Sequence, residues 1–261
     1  MRLFLIANTV FREEHREFLH SNQVSWRQTK DARTSQQLIE FAGRVCYMSF
    51  GEHQSSKDNS HYIRHLIERG HESVLEHSSY TILADHISRA LSHQLVRHRA
   101  GFSYSQLSQQ YHDESSAVFT PPENLRDWGV AEQHWRAATE GSRTAYKAIV
   151  ESLRSSTYAS HLAPKERLRA IRSIARSVLP NATATTLVIT GNARAWRHLL
   201  EVRGAIVGDL EMREFCASLL DLLTPEAPDV FGDFEIIQDH LGRLVRRSSE
   251  PSGESNASST D

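Results

Sequence analysis

Apolar and polar positions follow two different periods along this chain. The opening run "RLFLIANTV" is short and rich in β-formers, and predicts a first strand. "TSQQLIEFAGRVCYMSF" begins on Thr/Ser and spaces Leu38, Phe41, Val45 and Met48 at helical intervals, which predicts a helix over 34–50. "NSHYIRHLIERGH" repeats the pattern over 59–71 and stops at a glycine. A strand is expected over 78–86, "SSYTILADH". An amphipathic helix follows over 87–99, "ISRALSHQLVRHR", with Ala90, Leu91, Leu95 and His98 on neighbouring rows and Gly101 just beyond.

The periodicity then lapses. "AGFSYSQLSQQYHDESSAVFTPPENLRDWG" is long, polar and interrupted by Pro121-Pro122, so it is expected to be a loop of the length usually kept for function. Helices are predicted over 131–159 and 164–178, the second capped through "APKE", and a β-branched strand over 183–192, "TATTLVITGN". Helices over 193–203 and 209–223 and a turn at "DVFGDFE" complete the folded part. Trp196, Leu199 and Leu200 are expected in the core. The Ser/Glu/Gly/Pro-rich end, 248–261, predicts a disordered tail.

Composition narrows the classes. A chain of 261 residues with 39% hydrophobic content can bury a real core, as one large domain or two small ones. No apolar run approaches the roughly 18 to 20 residues needed to cross a bilayer, and the start reaches charge too soon for a secretory signal, so a cytoplasmic protein is expected. Cys46 and Cys216 lie far apart and outside any CxxC, which argues against structural zinc and disulfides. A net charge of −2 argues against a general nucleic-acid binder. Of the 30 cations only Lys30, Lys57, Lys147 and Lys165 are lysines. Codon bias explains that without function, yet planar guanidinium forks also suit phosphates and carboxylates.

Three clusters carry candidate chemistry. "LVRHRAGFSYSQLSQQYHDE" concentrates hydrogen-bond donors, and Arg97 and Arg99, two apart, point in different directions whether the backbone is helical or extended. They would serve two ligands or one large one. Gln94 precedes Arg97 by three and His98 by four, on one helical row; cations at a helix C-terminus also need no ligand to explain them. In "HESVLEHSS", His71, Glu76 and His77 invite a metal reading, but the histidines are six apart, on opposite helical faces, so no metal is expected. In the third cluster Arg176 precedes the 183–192 strand while Asn192, Arg194, His198 and Arg203 follow it, and both ends are expected to converge near one sheet edge. Arg194 and His198 share a helical face.

Taken together, "HESVLEH", "QLVRHR…SYSQLSQQY" and "ARSVLPNATATTLVITGNARAWRHLLEVR" closely resemble the flavin-dependent thymidylate synthases, in order and spacing, over roughly residues 1–240. The resemblance implies a single α/β (α+β) domain over 1–247, with a small sheet flanked by helices. It implies a homotetramer whose active sites draw on several chains, FAD as redox cofactor, NADPH as reductant and 5,10-methylene-tetrahydrofolate as carbon donor, with deoxyuridylate as acceptor. Ser73, Arg97, His98, Arg99, Gln106, Asn192, Arg194 and His198 match flavin-binding positions. Gln94, Arg97, Gln106, Ser108, Gln110, Arg176 and Arg203 match positions around the nucleotide, and His71 matches a histidine lining the site. By the same resemblance Arg203 would be the cation that stabilises an enolate-like uracil so that C5 can attack. Arg176 would hold the phosphate, and Ser108 would be a binding hydroxyl. Membrane and nucleic-acid partners are not implied.

Three departures gather around the same pocket. Eight residues, where the family has seven, separate Arg99 from Ser108. Gln110 stands where the family usually has an arginine that contacts phosphate, and "RGAIVGDLE" puts Val207 at a histidine position. That clustering points to altered substrate choice. An enzyme that methylates UMP, dUMP or both is therefore expected, as in family members of nucleoside-antibiotic pathways. A thymidylate synthase strict for dUMP and a non-catalytic flavin- or nucleotide-binding relative are the alternatives.

Overall fold

The computed structural model describes residues 1–248, apart from residues 56, 123–124 and 126–127. Along the chain the elements begin with β1 (Arg2–Asn8), α1 (His15–Ser21), α2 (Thr34–Tyr47), α3 (Asn59–Glu68), β2 (Ser79–Ser88), α4 (Arg89–Leu95) and β3 (Phe102–Gln106). They continue with α5 (Gly129–Ser155), α6 (Pro164–Ala175), β4 (Ala184–Asn192), α7 (Ala193–Arg203), α8 (Leu210–Leu223), α9 (Pro228–Phe231) and the pair β5 (Phe234–Asp239) and β6 (Gly242–Arg247). The expected mixed α/β class holds: small antiparallel sheets flanked by helices. The tail expected over 248–261 lies, from residue 249 on, outside the described residues.

The described residues form two compact units. The first joins Met1–Thr9 to Ser78–Ala195. Its sheet runs in the order β1-β2-β4-β3 with every neighbour antiparallel. β4 alternates half-buried and buried positions along its length, so Leu187 and Ile189 line the same inner face as Tyr80, Ile82 and Ala84 of β2. Helix α4 packs on β2 and β4 through buried Leu91 and Leu95, and Ser88 caps it by accepting the Leu91 N–H at 2.9 Å. Helices α5 and α6 meet along Tyr146, Val150, Ile171 and Ala175. A bulge breaks the β2–β4 register between Ala84 and Ile87. Burial there would push the Asp85 carboxyl up, but hydrogen bonds from His86, Thr186 and Arg2 hold it down at about 2.

The second unit joins Val10–His77 to the described residues from Trp196 on. Trp196, Leu199 and Leu200 are fully buried, as expected, together with Met212, Phe215, Leu219 and Leu223 of α8 and Val245 of β6. In α2 the helix is where the spacing put it, but the face is not. Val45 and Met48 are exposed, while Gln36, Ile39, Glu40 and Arg44 are buried. A polar network repays that burial: Arg44 Nε donates to Glu40 at 2.7 Å, Asn59 Nδ2 donates to Glu40 at 2.8 Å, and Gln36 Nε2 donates to Asp229 at 2.7 Å. Arg197 grips Asp233 with both fork nitrogens at 2.6 and 2.7 Å, and Arg213 pairs with Asp239 at 2.8 Å. Part of the arginine surplus therefore serves structural carboxylates.

Two elements differ from expectation. The 87–99 helix is shorter, because β2 runs on to Ser88 and the helix stops at Leu95. The polar stretch after Gly101 contains β3, and the turn at "DVFGDFE" leads into the β5–β6 hairpin. Asp239 closes that hairpin by accepting the Leu241 and Gly242 N–H groups at 2.8 and 3.0 Å.

Candidate active site

The RHR segment is set by a tyrosine. The Tyr104 hydroxyl on β3 lies 2.7 Å from both the Leu95 and the His98 carbonyl oxygens, so one phenol ties the last turn of α4 to the sheet. Burial pushes its pKa up to about 12, against the opposing charge of Arg99, which keeps it a donor. The backbone tightens into i→i+3 turns, with the Arg97 N–H on Gln94 and the His98 N–H on Leu95 at 3.2 and 3.0 Å. Arg97 and Arg99 thus leave a turn and not a helix, both exposed, with His98 half-buried between them.

The extra residue ahead of Ser108 is absorbed in the same turn. Phe102 N–H closes on the Arg99 carbonyl at 3.2 Å, and from Phe102 to Gln106 the pairing with β4 is regular. Gly101 adopts φ +75, and a Cβ there would lie 2.8 Å from Ala195 Cβ and from Asn192 Nδ2. Asn192 donates its N–H to the Gly101 carbonyl at 3.1 Å and caps α7 by accepting the Ala195 N–H at 2.8 Å. Arg97, His98, Arg99, Asn192 and exposed Arg194 therefore gather at one end of the β3–β4 pair.

Gln94 belongs to the first end, and the other end holds Gln106, Ser108, Gln110 and Arg176. Gln106 donates to Ser92 Oγ at 2.8 Å. After it, the Ser108 hydroxyl accepts the Gln110 N–H at 3.3 Å, and the Ser108 carbonyl accepts from Tyr111 and His112 at 3.1 and 2.9 Å. No base among the described residues is hydrogen-bonded to that hydroxyl. Helix α6 presents Arg169, Arg172, Ser173 and, at its C-cap, Arg176 on one face. Three of them hold the turn: Gln110 Nε2 donates to Ser173 Oγ at 3.2 Å, Arg172 donates to the Tyr111 carbonyl at 2.6 Å, and the Arg169 guanidinium lies 4.7 Å from the Tyr111 ring. Arg176 is exposed.

Sequence reasoning missed Arg89. It occupies the first turn of α4, where the helix dipole disfavours a cation. Its guanidinium donates to the Leu107 carbonyl at 2.9 Å, and its Nε has no partner. Burial lowers its pKa; Glu114 pulls the other way and Arg176 adds to the lowering. Arg89 and Arg176 thus feel each other's charge beside the serine turn. The sequence signal was a lone cation at a helix start. Behind it Glu114 is buried, its pKa raised by burial, and lines a cavity of about 260 Å³ with His86, His112, Leu107 and Thr186.

The two ends do not converge on one sheet edge as expected. Arg176 precedes β4 and Asn192 ends it, and the six residue steps from Gly101 to Leu107 span about 20 Å of extended chain.

The second unit carries the remaining candidates. Gly70, at φ +70, ends α3, and His71 N–H returns to the Leu66 carbonyl at 2.8 Å. His71 and Ser73 are exposed at the start of a short 3₁₀ segment, Glu72–His77, anchored by buried Val74 and Leu75. His198 is exposed on α7 and Arg203 is half-buried as its last residue. Gly204 follows because a Cβ would collide with the Leu200 carbonyl oxygen. Burial pushes the Cys216 thiol up, against the opposing charge of Arg203, so the thiol stays neutral. Among the described residues no group of three or more His, Cys, Asp or Glu could hold a metal, and no helix is long and apolar enough to cross a membrane.

The thymidylate synthase complementing protein family matches residues 29–229. The chain belongs to this family. It is 41% identical over 240 residues to a flavin-dependent thymidylate synthase of Mycobacterium leprae, covering 90% of this chain and 91% of that protein. A protein of the same description from Mycobacteroides abscessus is 41% identical over 237 residues, covering 90% of each chain. One from Mycolicibacterium gilvum is 40% identical over 237 residues, again covering 90% of each. The resemblance read from the three motifs is thereby shown, and with it membership of a family of enzymes.

Proposed function

We propose that this chain catalyses the flavin-dependent reductive C5-methylation of a uridylate, UMP, dUMP or both, with 5,10-methylene-tetrahydrofolate as carbon donor and NADPH as reductant. The observation that carries the reading is the grouping of four arginines around β3. Arg89, Arg97, Arg99 and Arg176 have no carboxylate within ion-pair distance among the described residues, whereas Arg44, Arg197 and Arg213 each have one. These four flank β3.

The donor set fits FAD. Exposed Arg97, Arg99 and Arg194 beside Asn192 suit a pyrophosphate, and the family resemblance adds His98, Gln106, Ser73 and His198 to the flavin set. When bound, the flavin supplies the hydride chemistry, so no protein nucleophile is needed. Buried, neutral Cys216 agrees with that. Arg176 and Arg89 would bind the nucleotide phosphate, and Ser108 would donate its hydroxyl to it. Gln94 would read the pyrimidine, and His71 would line the site. Arg203 would stabilise the negative charge that develops on the ring as C5 becomes nucleophilic.

A homotetramer with shared sites follows from the same reading. Within one chain Arg97, Arg99, Asn192 and Arg194 sit at the opposite end of the β3–β4 pair from Ser108, so a second copy can complete either end. The dUMP-strict reading is the alternative; Gln110, at a phosphate-contacting position in the family, here engages Ser173. Losing an arginine–phosphate contact costs about 1.5 to 3 kcal/mol. The purified protein is expected to be yellow, to load with FAD and to bleach under NADPH. Light scattering should report four copies. A colourless protein that cannot be loaded with FAD would remove the enzymatic reading, and a fully active monomer would remove the shared site.

A further inference from the structure

The contact between Gln110 and Ser173 has a consequence for how the nucleotide is chosen. The turn from Ser108 to Asp113 carries the candidate phosphate hydroxyl, and α6 carries Arg176. They are joined by an amide–hydroxyl bond of 3.2 Å, by Arg172 on the Tyr111 carbonyl at 2.6 Å and on Asp113 at 3.3 Å, and by Arg169 against the Tyr111 ring. Ser173 stands three residues before Arg176 on the same helical face. Of the groups in this seam, Gln110 and Ser173 are the neutral pair, and Gln110 lies two residues from Ser108 in the turn that Ser108 itself closes.

We infer that Ser173 is a positioning residue for nucleotide binding. By accepting the Gln110 amide it docks the serine turn on α6 and sets the separation of Ser108 and Arg176 before any ligand arrives. A cation at position 110 would take its partner from the ligand, so the turn would gain its last contact only on binding. A neutral amide held by Ser173 supplies that contact within the protein and presents no third guanidinium beside Arg89 and Arg176. The phosphate is then gripped by fewer charges on a more rigid frame, and rigidity set in advance shows as affinity. The inference rests on the functional reading above, since it takes the ligand to be a uridylate.

Ser173→Ala removes one neutral hydrogen bond at a half-buried helical position and leaves both arginines in place. In the flavin-loaded enzyme it should raise KM and Kd for dUMP and UMP about fivefold, with kcat changed by less than about twofold. Hydrogen exchange at the Gln110, Tyr111 and His112 amides should speed up, and Ser173→Thr should restore both readouts. Gln110→Ala should raise Kd by a similar factor, and the double variant should be no worse than either single one. Faster exchange without a change in Kd would overturn the inference while leaving the functional reading intact. So would additive effects, or a fall in kcat at constant KM. A wild-type enzyme that binds neither nucleotide would overturn the functional reading itself, and this inference with it.

Discussion

Replacing Arg203 by alanine should leave FAD bound and NADPH oxidation running while methylation of the uridylate falls by roughly two orders of magnitude or more. That is the scale for removing one donor that meets developing negative charge. Uracil C5 is a poor nucleophile until electron density is pushed into the ring, and the density that moves there leaves charge on the ring oxygens and N3. A guanidinium beside them contributes more to the transition state than to the bound nucleotide, so its loss lowers kcat and kcat/KM together. Arg203 is the half-buried last residue of α7, where the dipole favours a cation, and Gly204 lets the chain turn away at once. Loss of flavin, or unfolding, in Arg203→Ala would make the residue structural. If the variant loses only affinity, Arg97 is the next residue to test.

Arg176→Ala should behave differently. A phosphate anchor binds ground state and transition state alike, so KM should rise about ten- to a hundredfold while kcat at saturation changes little. Arg89→Ala should move in the same direction. Its guanidinium shares the electrostatic neighbourhood of Arg176 and donates to the Leu107 carbonyl, beside the serine turn. The two effects should not be independent, because an anion held by both is lost in part with either. Initial-rate kinetics over a wide range of nucleotide concentration separate the cases. A fall in kcat with unchanged KM in Arg176→Ala would place that residue at the reacting ring and contradict the phosphate assignment.

Much of this was legible in the sequence because the signals were local. The 193–203 helix, the strand before it and the buried Trp196, Leu199 and Leu200 follow from spacing alone. What was not legible depends on partners distant in the chain. Helix α4 ends at Leu95 because Tyr104, nine residues on, takes the Leu95 and His98 carbonyls, and no periodicity announces that. β3 was hidden because "FSYSQ" is an edge strand whose outward positions are serines. In α2 the apolar row pointed to the wrong face, since Glu40 and Arg44 are buried with partners brought by α3 and Trp26. Within the candidate site, the family resemblance singled out Arg97, Arg99, Ser108 and Arg176. It did not reveal Arg89, Ser173 or the separation of the two ends of β4, which only the antiparallel pairing fixes.

The sequence departs from the family pattern at Gln110, Val207 and the turn after Arg99. Val207 is 86% exposed, and the extra residue is taken up before β3 begins, so of the three Gln110 is the one built into the phosphate end. The deciding measurement is anaerobic turnover of UMP beside dUMP by the wild-type, FAD-loaded enzyme, with 5,10-methylene-tetrahydrofolate and NADPH and the methylated products quantified. UMP should be methylated measurably, and Gln110→Arg should tighten dUMP binding relative to UMP. Efficient turnover of dUMP with none of UMP would contradict the shifted sugar preference and leave a thymidylate synthase strict for dUMP.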